Sequence, residues 1–78
     1  MMVPGHKLLQ KWLDRTKTTR AKLAVLLDIT PQTVSGYLVD GHRPSFQYRE
    51  MLQKIAGVPV ESWLTAEEKR YARKVRAA

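Results

Sequence analysis

The segment from Arg20 to Gly41, RAKLAVLLDITPQTVSGYLVDG, constrains this chain more than any other, because it holds two helical faces separated by a built-in start signal. Leu23, Ala24 and Leu27 recur at helical spacing in its first half, and Val34, Tyr37 and Leu38 do so in its second. Two such apolar faces can pack on each other across a short turn. Thr30 is a natural N-cap, and Pro31 takes the first helical position, where a missing N–H and a fixed φ cost nothing. A helix over 31–39 is therefore expected. Placing successive residues about 100° apart sets Gln32, Ser35, Gly36 and Val39 opposite the core residues, with Pro31 and Thr33 on the flanks. That face is uncharged and short-chained. A solvated helix usually carries Lys and Glu there, whereas a helix in the DNA major groove needs short amides and hydroxyls that reach base edges.

The rest of the chain is also helical in period. Leu8, Leu9, Trp12 and Leu13 mark a first helix from about Lys7 to Thr16, after which Thr18 or Thr19 can cap the second. Asp40 to Ser45 is turn-rich. Gly41 suits a left-handed conformation, and Pro44 stops either neighbouring helix from running through. Ser45 then caps a helix from about Phe46 to Ala56, with Phe46, Leu52, Ile55 and Ala56 as its core face and Tyr48 and Met51 as alternatives. Gly57 ends it, and Trp63 with Leu64 make a short closing turn over the bottom of the core. Thr65-Ala66-Glu67-Glu68 has the form of a capping box, followed by a basic helix with acids first and bases last. Leu64, Tyr71, Ala72 and Val75 give that helix a thin apolar stripe. Docking on the domain, pairing with a second subunit, following DNA phosphates and free solvation are all open to it.

Charge points to polyanions. Fourteen Lys and Arg stand against seven Asp and Glu, a net charge of +7 on 78 residues. The excess is spread over both halves, so the domain itself is basic. A single domain of this length buries only about 60% of its unfolded surface, which favours dimerisation. With no cysteine, disulfides and thiolate chemistry are excluded. His6 and His42 have no zinc-ligand spacing, and Glu67-Glu68 reads as the acidic first turn of a helix rather than an acid–base pair. Trp12 and Trp63 fit core positions better than stacking platforms. The expectations are no cofactor, no metal and no catalysis. No apolar run approaches the ~20 residues of a membrane span, and the first residues lack the apolar core of a signal peptide. A soluble, cytoplasmic protein without a membrane partner or small-molecule substrate is expected.

Taken together, Thr19, Leu23-Ala24, Ile29-Thr30, Thr33-Val34-Ser35, Tyr37, Gly41, Arg43-Pro44-Ser45 and the ending GVPVESWL over 57–64 resemble the lambda-repressor-like (Cro/CI, or XRE) helix-turn-helix family. The resemblance spans Leu8 to Thr65. It implies an all-α, compact five-helix domain over 1–65 with an extra basic helix or tail over 66–78. The third helix would enter the major groove and the second would lie across the backbone. Carried over by position, Pro31, Gln32, Thr33, Ser35 and Gly36 match base-facing sites, while Thr19, Arg20, His42 and Arg43 match phosphate-contacting ones. Gly41 stands one residue later than the family pattern places it. The function implied is a double-stranded DNA-binding transcription regulator, a small phage or prokaryotic repressor or Cro-like protein acting as a homodimer. The alternative is a protein-interaction module, such as an antitoxin or adaptor. RNA binding is less favoured, because the chain lacks clustered aromatics suited to unpaired bases.

Overall fold

A computed structural model describes residues 3–77, with side chains through residue 72. The molecule is compact and all-helical. Its order is α1 (Pro4–Thr16), α2 (Arg20–Leu27), α3 (Pro31–Leu38), α4 (Phe46–Ala56), a 3₁₀ turn (Val60–Trp63) and α5 (Ala66–Ala77). Within the body that ends at the closing turn, four α-helices and one 3₁₀ turn stand where five helices were expected. No helix among the described residues is long and apolar enough to cross a membrane.

Three caps follow local sequence closely. The Thr19 hydroxyl accepts the Lys22 N–H at 3.1 Å, and the Thr30 hydroxyl accepts that of Thr33 at 3.2 Å. Thr65 and Glu68 form the reciprocal capping box: the Thr65 N–H donates to Glu68 Oε1 at 2.9 Å, and the Glu68 N–H donates to Thr65 Oγ1 at 3.1 Å. Ser45 precedes α4 as expected, but its side chain makes no capping bond. Lys17 and Asp28 end α1 and α2 in the left-handed region, at φ 55° and 57°. There each turns its N–H back onto a carbonyl of its own helix. Gly57, at φ 67°, closes α4 in the same way.

The first helix begins three residues before the expected Lys7, because Pro4 itself occupies N1. That extension brings Gly5 and His6 onto the buried face with Leu9 and Leu13. It also builds the base of the core, where Trp63 is fully buried against Gly5. A Cβ on Gly5 would lie 2.5 Å from Trp63 Cδ2, so only glycine allows this approach. The His6 ring meets Trp63 edge-on at 5.1 Å between centroids, and its Nδ1 bonds the Tyr37 carbonyl oxygen at 2.5 Å. Tyr37 lies in the last turn of α3, where carbonyls lack intrahelical donors. His6 thus caps α3 from 31 residues away.

Helical phase explains the departures from the expected core. Leu52 and Ala56 are buried, with Tyr48, Met51 and Ile55 partly covered beside them. At about 100° per residue, Phe46 falls roughly 150° from the middle of that face, and it is 63% exposed. Leu8 is likewise exposed at the edge of the α1 face, and Trp12 is only half-buried. Helix α2 packs chiefly on α3, α1 on α3 and the closing turn, and α4 on the closing turn.

Candidate functional site

The outward side of α3 is held in place from both ends. Its inner face, Val34, Tyr37 and Leu38, is buried against the core. Burial pushes the Tyr37 hydroxyl pKa upward, and the neighbouring Tyr48 adds to the shift. With the inner face locked, Pro31, Gln32 and Thr33 are exposed on the first turn, and Val39 is exposed where the helix ends. The Gln32 amide makes no hydrogen bond among the described residues, so both its donor and its acceptor face solvent.

The hydroxyls of the stripe are partly engaged. Thr33 Oγ1 pairs with Thr30 Oγ1 at 2.9 Å, and Ser35 Oγ accepts from Arg20 Nη1 at 3.3 Å. Each hydroxyl keeps further hydrogen-bonding capacity beyond those bonds. The second contact brings Arg20, on the first turn of α2, against the middle of α3. Thr19 and Arg20 are both exposed, with the Thr19 hydroxyl already serving the α2 cap. Lys22 is exposed on the same opening turn of α2. The structure therefore joins Arg20 to Ser35, with Thr19 exposed at the start of α2 and Gln32 and Thr33 exposed on the first turn of α3.

Three of the expected site residues, Gly36, His42 and Arg43, have partners within the molecule. Gly36 is not open to a partner, because His42 folds back over it. The His42 N–H donates to the Gly36 carbonyl at 3.1 Å, and a Cβ built on Gly36 would lie 2.9 Å from His42 Nδ1. The reversal turns on Gly41, at φ 72° as its sequence position implied. His42 itself is exposed, but it lies across α3 rather than to one side of it.

Arg43 is also engaged within the molecule. Its Nη1 donates to the Trp63 carbonyl at 3.3 Å and pairs with the Glu68 carboxylate, so it ties the α3–α4 loop to the C-terminal segment. In this position Arg43 acts as a strut, and it remains exposed. The Thr65 backbone N–H, with help from Arg43 and the Thr65 hydroxyl, lowers the Glu68 carboxyl pKa to about 2. Tyr71 is exposed on α5, while Arg73, Lys74, Val75 and Arg76 lie outside the described side chains.

The one-residue displacement of Gly41 was the sequence sign that the loop presents His42 differently, but the fold-back of His42 onto Gly36 lies outside what helical period can show. The capping role of His6 was equally unmarked. Among the described residues, no group of three His, Asp or Glu is placed to hold a metal ion. No protein-family model matches the chain, and no characterised protein or solved structure matches it significantly.

Proposed function

We propose that this domain binds double-stranded DNA and reads it in the major groove with α3, as a regulator of transcription without enzymatic activity. The observation that carries the reading is the uncharged outward stripe of α3, with the unpaired Gln32 amide at its N-terminal end and Arg20 beside it on α2. An amide there can pair with adenine N6 and N7 through two hydrogen bonds. Arg20, Lys22 and the opening N–H groups of α2 supply the positive flank that phosphates require. The net charge of +7 adds long-range attraction that does not depend on sequence.

One recognition helix contacts only a few base pairs, so useful selectivity needs two copies. The proposal therefore includes a homodimer on DNA, with half-sites about 34 Å apart or a multiple of that distance. Selection of bound duplexes from a random pool tests the whole reading. The expected winner is palindromic; a pool that shows no enrichment overturns it.

A second reading, a protein-interaction module such as an antitoxin or adaptor, is favoured by Val25 and Phe46, which are 80% and 63% exposed. Under that reading the α3 stripe is dispensable, and charged substitutions at Val25 or Phe46 abolish function.

A further inference from the structure

We propose that His42 is a base-reading residue of the α3 surface, an imidazole supplied by the loop in place of the side chain that Gly36 lacks. This rests on the DNA-binding reading above and adds to it a specific reader at the centre of the stripe. Gly36 lies on the outward side of α3 by helical phase, one turn beyond Gln32 and one turn before Val39. It is buried, and the His42 ring is what a Cβ there would meet first. The ring is therefore centred on the stripe, where a duplex in contact with α3 presents base edges. Phosphates lie to the sides of a helix seated in the groove.

The orientation of the ring fixes which atom is available. From the position a Gly36 Cβ would take, His42 Nδ1 is 2.9 Å away, Cγ 3.6 Å and Cβ 3.8 Å. The Nδ1 edge thus faces Gly36, and Nε2 lies farther from it than these three atoms. The backbone bond from the His42 N–H to the Gly36 carbonyl, 3.1 Å, anchors the residue there. In the tautomer that carries its proton on Nε2, the ring presents a donor suited to the acceptors N7 and O6 that a purine, guanine above all, shows in the major groove. The arrangement also accounts for a helix-interior glycine, since any side chain at position 36 would displace the ring.

The test uses the full chain and its selected duplex beside a scrambled one, with His42→Ala, Gly36→Ala, the double variant and Gln32→Ala compared with wild type. His42→Ala is expected to weaken cognate binding about tenfold, leave scrambled binding nearly unchanged, and relax preference at one base pair per half-site. Gly36→Ala should give the same loss by pushing the ring aside, with thermal unfolding no earlier than in wild type, because alanine favours the helix. The double variant should be no weaker than either single one, since both changes remove the same interaction. His42→Gln, which keeps a donor, checks that the loss is not one of folding.

Equal losses on both duplexes would make His42 a phosphate contact and overturn the proposal. So would an unchanged affinity in His42→Ala while Gln32→Ala still loses preference, or a Gly36→Ala variant that binds like wild type. If wild type prefers no duplex, the DNA-binding reading fails first and this inference falls with it.

Discussion

The α2–α3 pair and the segment that follows it, from the loop after Val39 through α5, differ in how the side chains beside the α3 stripe are fixed. In the first, capping hydrogen bonds span three residues, and the two helices bury adjoining faces against each other. In the second, Arg43 reaches 20 residues to the Trp63 carbonyl and 25 to Glu68, while His42 turns back across α3. The difference separates two tasks. Local caps start α2 and α3, His6 closes α3 from a distance, and distant contacts set which side chains lie beside the outward face. Arg43 pairs with Glu68 of α5, whereas His42 lies over Gly36 on the stripe.

The largest expected effect falls on the support beneath both regions. Trp63 fills the base of the core between Gly5 and His6, so Trp63→Ala should cost ~3–5 kcal/mol, read from the urea midpoint. Small domains have total stabilities of about 5–15 kcal/mol, so this variant should be substantially unfolded at moderate temperature. A loss below about 1 kcal/mol would mean that the two regions do not share this base.

Next is the contrast between reading and positioning within the α2–α3 pair. Gln32→Ala should remove ~1–3 kcal/mol of discrimination at one base pair per half-site. Arg20→Ala should weaken cognate and scrambled duplexes alike, and lower the salt slope of binding by about one for each phosphate that is no longer neutralised. Affinities for both variants at several salt concentrations check this. Proportional losses on both duplexes for Gln32→Ala would remove base reading from that residue.

A smaller effect tests whether α3 is aimed by local rules. Thr30→Ala deletes the acceptor for the Thr33 N–H and the partner of the Thr33 hydroxyl, and should cost ~1 kcal/mol in denaturant unfolding. A cost near that of Trp63→Ala would erase the distinction between the two regions.

What was legible in the sequence follows the same division. Thr19, Thr30, Pro31 and the Thr65–Glu68 box were readable because donor and acceptor lie within a few residues and the chemistry is local. The buried faces of α2 and α3 were readable from period alone. Phe46 was not, since its aromatic character argued for burial while the phase set by Leu52 and Ala56 turned it outward. The start of α1 lacked a polar cap, and Val3 provides no side-chain bond to mark it. His6 on Tyr37, His42 on Gly36 and Arg43 on Glu68 depend on how separate elements meet. Periodicity carries no information on such contacts.

The smallest effect concerns the strut itself and is read by pH. The Glu68 carboxyl has its pKa lowered from 4.5 to about 2, first by the Thr65 N–H and then by Arg43. A lowered carboxyl pKa means that its stabilising contribution is complete above pH 4.5 and fades as pH falls toward 2. Acid in that window should therefore loosen the start of α5, while α2 and α3, whose caps are threonine hydroxyls, keep theirs. Glu68→Gln preserves an acceptor for the Thr65 N–H but removes the charge that Arg43 pairs with. Its α5 amide protection at pH 7 should match that of acidified wild type and change little between pH 4.5 and 2. Glu68→Ala, which lacks the acceptor as well, should show weaker protection at every pH. Hydrogen exchange at the amides of residues 65–69 reads all three proteins. A wild-type profile flat across the window would show that α5 is held by packing through Leu64 and Ala72 rather than by the strut.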